Sequence, residues 1–305
     1  MYPNIPLDEL VDSNIRCINQ HPSTRLSNKN IFYKPELVKR LLELILYNNY
    51  FQFNGKFYYQ KHGIAMGTPC ACSTSDIFIC EWIEEAFELF DLLPTFYKQY
   101  RDDGFGIWPH GLDKLVLFVE TLNLFHPTLK FTLTHGRELN YLDLNIRINK
   151  SGQIHTETYY KPTDSFAYLH ADSNHPQHCM QNIGLSQAIR HIRNCSTFSS
   201  YQFHTHFLKH NLIRKGYPPH LISRKIAKIK YNQRPNLLKY KKTKRLTRTP
   251  LILTFNNNMP PIKQIVKHVT DDLLDEDTFK AIGTYPIIGY RIQKSTGARI
   301  IRAKS

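Results

Sequence analysis

Residues 100–108 read YRDDGFGIW, and they overlap the aromatic run TFYKQY of residues 95–100. Aromatic residues on both sides of RDDG predict a strand, a tight turn and a second strand. Adjacent side chains of a strand point to opposite faces, so Asp102 and Asp103 can act together only at a turn, which we expect Gly104 to supply. Two carboxylates at such a tip suit Mg²⁺, which prefers oxygen ligands, although Asp-Gly is also common in solvated turns.

Helices and strands alternate around this hairpin. We predict a hairpin at residues 50–59, because Asn54-Gly55 is a strong signal for a tight turn between strands. The remaining predictions are helices at residues 34–47, 73–90 and 115–124, and strands at residues 129–134, 142–148 and 154–160. This alternation predicts an α+β fold, in which an antiparallel sheet packs against helices.

Positive charge is concentrated in the middle of the chain. The net charge is +15, and residues 150–248 alone contain 18 Lys and Arg against three Asp and Glu. The hydrophobic pattern of this region predicts three helices, at residues 186–195, 200–215 and 219–231, followed by a basic tether at residues 239–248. A small mixed segment follows at residues 250–305. A region of this charge suits a polyanion, of which nucleic acid is the most common.

Several classes of protein are disfavoured by the sequence. The six Cys are irregularly spaced in a long chain, which favours a reducing compartment over a disulfide framework. No apolar run approaches the length of a membrane span, and residues 1–20 lack the pattern of a signal peptide, so we expect a nuclear or cytoplasmic protein without membrane partners. Signatures of Ser-His-Asp hydrolases, Walker-type nucleotidases and dinucleotide-binding enzymes are not found either.

An ordered series of motifs accompanies the carboxylate pair. They are YPNIP at residues 2–6, GIAMGTP at 63–69, YRDDGFGIW at 100–108, HPTLKFT at 126–132, NYLDLNI at 140–146 and YYKPTDSFAYLHADSNHPQHC at 159–179. This series resembles the reverse transcriptases of Penelope-like retroelements, and the resemblance covers nearly all 305 residues. It implies a partial polymerase palm at residues 1–160, a basic helical thumb with a helix-turn-helix-like module at 161–249, and a C-terminal connector at 250–305.

The resemblance also assigns roles to individual residues. Asp102 and Asp103 match the second catalytic motif and would hold Mg²⁺ or Mn²⁺ for two-metal transfer of a nucleotide onto a DNA primer copied from an RNA template. Residues expected to contact nucleotide or template are Tyr2, Gly67, Thr68, Pro69 and Lys130. The primer grip would comprise Tyr141, Leu142 and Asp143. Residues expected to contact the nucleic-acid backbone are Lys161, Arg190, Arg193, Arg224, Lys225 and Lys228.

One catalytic residue of the family has no counterpart in this sequence. The family's first motif has an aspartate about five residues before the tyrosine matched by Tyr2, and that position precedes Met1. Loss of a metal ligand costs orders of magnitude in rate, so we expect this chain alone to be an impaired or inactive polymerase. The alternative is a non-catalytic nucleic-acid-binding protein that uses the basic helical region.

Overall fold

The computed structural model describes residues 2–21, 34–239, 250–256, 258–273, 275 and 285–291. It is a mixed α/β structure with small antiparallel sheets, and the chain divides into two compact units, Met1–Gly136 and Arg137–Ser305. This division precedes the sheet at residues 138–158, whereas the boundary that we expected follows it. Among the described helices, none is both long and apolar enough to span a bilayer.

Helices provide most of the core of the first unit. They are α1 (Leu7–Gln20), α2 (Pro35–Leu46), α3 (Ala71–Phe87) and α4 (Leu112–Phe125). Helix α1, which we did not predict, buries Leu7, Leu10 and Val11 at helical spacing. The buried Asn14 amide joins α1 to α3 by donating to the backbone carbonyl of Thr74 at 3.0 Å.

Two hairpins complete the first unit. The first pairs β1 (Tyr50–Phe53) with β2 (Lys56–Tyr59), and positive φ values at Asn54 and Gly55 confirm the predicted turn. The second pairs β3 (Phe96–Tyr100) with β4 (Asp103–Ile107), so the turn residues are Arg101 and Asp102. The prediction that Gly104 supplies this turn is therefore wrong.

Gly104 lies within β4 for a different reason. A Cβ at this position would lie 2.7 Å from the hydroxyl oxygen of Tyr97 on the paired strand. The glycine therefore leaves space for a cross-strand phenol. The predicted strand at residues 129–134 is also wrong, because the structure has no strand there. The backbone amide of Phe131 instead donates to the side chain of Asn123 at 2.6 Å, which ties the segment to α4.

The second unit begins with a three-stranded antiparallel sheet. Its strands are β5 (Glu138–Tyr141), β6 (Leu144–Ile148) and β7 (Ile154–Thr158), with β6 in the centre. Strand β7 is joined to the end of the following helix, because the amide of Ser196 donates to Thr156 at 2.8 Å and the Thr156 hydroxyl donates to Asn194 at 2.7 Å. The sheet and the helical region are therefore held together by hydrogen bonds.

Four helices follow this sheet: α5 (Gln177–Asn194), α6 (Phe198–Arg214), α7 (Pro219–Ile226) and α8 (Arg234–Leu238). Helix α5 begins nine residues before the predicted start at residue 186. Thr197 caps α6, and Gly216, with φ of +83°, permits the turn after it. Helices α5, α6 and α7 share an apolar core formed by Ala188, Leu208, Leu212, Ile222 and Ile226.

The described C-terminal elements are β8 (Pro250–Thr254), α9 (Ile262–Leu273) and β9 (Ile287–Arg291). Strands β8 and β9 pair in parallel. Most of the predicted basic tether, residues 240–248, lies outside the described residues.

Candidate nucleic-acid interface

The carboxylate pair lies at an exposed hairpin tip. Asp102 is the second residue of the turn, and Asp103 begins β4 opposite Tyr100. Arg101 has φ of +56°, a strained conformation for a residue with a side chain, and its guanidinium lies 5.6 Å from the centre of the Tyr100 ring. The two predicted metal ligands therefore share one turn, with a cation beside them.

A separate set of contacts joins Tyr2 to the glycine-rich segment before α3. The amide of Ile64 donates to the carbonyl of Tyr2 at 2.9 Å, and the Tyr2 hydroxyl donates to Cys72 Sγ at 3.4 Å. This hydrogen bond raises the pKa of Tyr2, and burial adds to the effect. Tyr2 is thereby held against both ends of the segment that contains the predicted template-binding residues.

Arg101 connects the hairpin tip with this second group. The electrostatic influence of Cys72, followed by that of Tyr2, raises the pKa of the Arg101 guanidinium, and Asp76 of α3 adds to it. The carboxylate turn, Tyr2 and the start of α3 all belong to the first compact unit.

Gly67, Thr68 and Pro69 form the turn into α3. Gly67 has φ of +95°, and a Cβ at this position would meet nothing within 4 Å. The amide of Thr68 donates to Ala65 at 3.3 Å, and the amide of Ala71 donates to Thr68 at 3.0 Å. Gly67 is thus required here by backbone conformation, and its exposed surface remains accessible to a ligand.

The carboxylates do not form a complete divalent-metal site. No group of three or more His, Cys, Asp or Glu side chains that could hold a metal ion occurs within the described part of the chain. Two-metal phosphoryl transfer uses a clustered set of carboxylates that reaches both ions. Asp102 in the turn and Asp103 at the start of β4 do not make up that set.

Lys130 makes local contacts that sequence analysis did not reveal. Its ammonium group donates to the backbone carbonyls of Asn123 and, at 3.0 Å, His126. These carbonyls lie at the end of α4, where a cation is favourable because it complements the helix dipole. In this structure Lys130 stabilises a helix terminus in addition to any contact with nucleotide.

The predicted primer grip is the turn between β5 and β6. Tyr141 pairs with Leu144, so Leu142 and Asp143 form the turn, and Leu142 has φ of +54°. Asp143 Oδ2 accepts hydrogen bonds from Arg190 Nε at 2.8 Å and from Asn194 Nδ2 at 3.1 Å. Burial alone would raise the pKa of Asp143, but these hydrogen bonds hold it below its usual value. The hairpin tip is therefore fastened to α5.

The six predicted backbone-binding cations differ in their surroundings. Arg190 is paired with Asp143, and Arg193 Nε donates to the carbonyl of Leu237 at 3.1 Å. Lys161, Arg224 and Lys228 are exposed. Arg224, Lys225 and Lys228 also line a groove of about 510 Å³ between α5 and α7, whose floor includes Ile183, Leu212 and Ile222. Arg224 and Lys228, near the end of α7, are therefore well placed to contact a polyanion.

Two contributing residues, one in each unit, were missed in the sequence. Cys72 lies 70 residues from its partner Tyr2, and Asn194 lies 51 residues from Asp143. Neither pair shows a pattern in the local sequence. Both pairs can be recognised only from their contacts in the folded chain.

A buried histidine pair lies in the second unit. The rings of His191 and His204 stack with 5.6 Å between their centres, and His191 Nδ1 lies 3.0 Å from the Thr158 hydroxyl oxygen. His204 Nε2 is 3.9 Å from a carboxylate oxygen of Glu157, which is beyond hydrogen-bond distance. Burial lowers the pKa of His191 to about 3, with contributions from His204 and Arg190, and burial also lowers the pKa of His204. Both rings are therefore neutral near pH 7.

Comparison with known proteins identifies a similarity in one segment. Residues 167–227, about a fifth of the chain, match the family model of the animal helix-turn-helix domain. Searches of curated proteins and of solved structures find no match. The matched segment contains α5, α6 and α7, which confirms the predicted helix-turn-helix-like module and suggests nucleic-acid binding.

Proposed function

We propose that this chain is the palm and thumb portion of an RNA-directed DNA polymerase similar to the reverse transcriptases of Penelope-like retroelements. Its role would be to hold an RNA template paired with a DNA primer. The observation that carries the proposal is the pair of hydrogen bonds that connects Tyr2 with Ile64 and Cys72, which joins the first motif to both ends of the glycine-rich segment.

The second unit supports the same proposal. Contacts to phosphates position a nucleic acid without reading its sequence, as a polymerase requires. Arg224 in the matched helix-turn-helix segment and Lys228, which directly follows that segment, are exposed and would supply such contacts. Tyr2 and the turn at Gly67 would orient the base pair being formed, since a glycine permits close approach of the backbone.

The proposal includes a requirement for another carboxylate. Because Asp102 and Asp103 do not complete a two-metal site, we expect no appreciable primer extension by the 305-residue chain on an RNA template with Mg²⁺ or Mn²⁺. Single-nucleotide incorporation on a radiolabelled primer measures this, and a polymerase with an intact site serves as the positive control. Incorporation that disappears in Asp102→Ala would show that the present carboxylates suffice.

Binding of primer–template is the direct test of the proposed function. The double variant Arg224→Gln/Lys228→Gln should weaken binding of an RNA–DNA duplex about tenfold at 0.1 M salt. It should also reduce the slope of log K against log salt by roughly 1 to 2, because each lost phosphate contact removes close to one unit. Fluorescence anisotropy measures both quantities over a salt titration.

The matched control for this experiment removes the same charge elsewhere. Lys114→Gln/Lys263→Gln neutralises two exposed lysines on α4 and α9. Its duplex affinity should remain within about twofold of the original chain, since neither lysine lines the groove between α5 and α7. Equal weakening in the two double variants would show that only the net charge matters and would remove α7 from the interface.

A second candidate is a nucleic-acid-binding protein without catalysis. The match of residues 167–227 to the helix-turn-helix family favours it, because that similarity concerns binding alone. The two candidates differ in the role of the first unit. Duplex affinity that is insensitive to replacement of Tyr2, Asp102 and Asp103 by Ala, Asn and Asn favours the second candidate.

A further inference from the structure

The β1–β2 hairpin presents an unusual concentration of exposed rings. Six of the ten residues at 50–59 are aromatic, whereas aromatic residues make up 12% of the chain. Phe51, Phe53 and Phe57 are 52%, 69% and 75% exposed. Their strands form a two-stranded sheet, which gains little stability by itself. An exposed apolar patch of this kind marks an interaction site in soluble proteins.

The register of the hairpin separates these rings into two faces. Phe51 pairs with Tyr58 and Phe53 pairs with Lys56, which places these four side chains on one face, the platform face. On this face the rings of Phe51 and Tyr58 are stacked, 5.5 Å apart and inclined by only 17°. Flat, nearly parallel rings are the geometry on which a further planar group can stack.

The opposite face differs in its connections. It carries Tyr50, Phe57 and Tyr59, and the rings of Tyr50 and Tyr59 are tilted by 49°. The Tyr59 hydroxyl donates to the backbone carbonyl of Tyr47 at 2.8 Å, which ties this face to the end of α2. The two rings on the platform face are therefore more nearly parallel than those on the opposite face. The platform face also carries the cation Lys56.

Charge and composition indicate the chemistry of the ligand. Residues 49–63 contain Lys56, Lys61 and His62 but no Asp or Glu. The same residues contain no Ala, Val, Leu, Ile or Met. Positive charge between exposed aromatic rings is the arrangement used to bind single-stranded nucleic acid, in which bases stack and phosphates contact cations. A protein-binding patch does not need this exclusion of negative charge.

We propose that the platform face of Phe51, Phe53, Lys56 and Tyr58 binds single-stranded nucleic acid by stacking unpaired bases on its rings. This inference rests on the proposed function, because an unpaired template strand is the ligand that a template-copying protein supplies to such a surface. The exposed Lys56 of this face and the exposed Lys61 after the hairpin would neutralise phosphates of the strand. The binding would be tolerant of sequence, since every base offers a flat face.

The test compares two exposed phenylalanines on opposite faces of the same hairpin. A fluorescein-labelled single strand of about 12 uridines, within the usual site size, is titrated with the full chain. Phe53→Ala should weaken binding about tenfold or more, the effect expected for loss of one stacked base, whereas Phe57→Ala should change it less than about twofold. Phe53→Trp retains a ring and should preserve the affinity.

Each result decides the inference. Unchanged affinity in Phe53→Ala, or equal losses in Phe53→Ala and Phe57→Ala, overturns it. Self-association of the chain that Phe53→Ala abolishes would make the patch a protein contact and would also overturn it. Binding of an RNA–DNA duplex is measured in parallel and should be unchanged in Phe53→Ala. If duplex binding fails in the original chain while the single-strand results hold, the proposed function fails and the stacking surface stands.

Discussion

Gly63→Ala should destabilise the first compact unit by about 2–4 kcal/mol. Gly63 has φ of +70°, and a Cβ built on it would lie under 3.0 Å from the Cα, carbonyl carbon and oxygen of Pro3. Positive φ costs about 1 kcal/mol for a residue with a Cβ, and overpacking adds about 1–3 kcal/mol. The Pro3 backbone cannot shift cheaply, because the neighbouring Tyr2 carbonyl accepts from the amide of Ile64.

Urea unfolding followed by tryptophan fluorescence measures this effect. The only tryptophans of the sequence are Trp82 and Trp108, both in the first unit, so the signal reports on that unit. Gly67→Ala is the matched control, because its φ is also positive while a Cβ there meets nothing within 4 Å. It should cost only about 1 kcal/mol. Equal losses in the two variants would contradict the close approach of Pro3.

Acidification should destabilise the second unit through His191. The pKa of His191 is lowered from 6.5 to about 3 in the folded chain, mainly by burial. Protonation therefore favours the unfolded chain. The contribution of neutral His191 is fully present above about pH 6.5 and is lost as the pH falls toward 3, by up to about 4 kcal/mol.

Urea unfolding at pH 7, 5.5 and 4.5 measures this loss when helical circular dichroism, which reports on both units, is compared with tryptophan fluorescence, which reports on the first unit alone. His191→Gln removes the titrating group and should flatten the dependence on pH. His206→Gln, an exposed position on the same helix as His204, should leave the dependence unchanged. A pH dependence that persists undiminished in His191→Gln would assign the acid sensitivity to other groups.

Short-range signals in the sequence predicted part of the fold. Asn54-Gly55 specified its hairpin because the turn conformation depends on those two residues alone. The apolar spacing of residues 73–90 likewise predicted α3. Helix α1 was missed although it has a clear apolar stripe, and the early start of α5 was missed because Gly184 falls within residues 177–185 and glycine disfavours a helix. In α5, burial of Gly184 beneath α7 compensates for weak local preference.

The candidate site was predictable only in its parts. The carboxylate turn follows from residues 95–108, but its true centre, Arg101-Asp102, depends on strand register, which spacing alone does not fix. Lys130 and Arg190 were recognisable as cations, yet their actual partners are a helix terminus and Asp143. The sequence gives the charge of a side chain, but only the folded structure shows which group neutralises that charge.

The fastening of Asp143 to α5 has a mechanical consequence. Arg190 and Asn194 are one helical turn apart on α5, and both side chains donate hydrogen bonds to the carboxylate of Asp143. Both hydrogen bonds end on Oδ2, and Asn194 Nδ2 also donates to the backbone carbonyl of Asp143 at 3.2 Å, so Asp143 is held at its side chain and at its main chain. We therefore expect the β5–β6 tip to move together with α5, so that a ligand that tilts the helix also displaces Leu142.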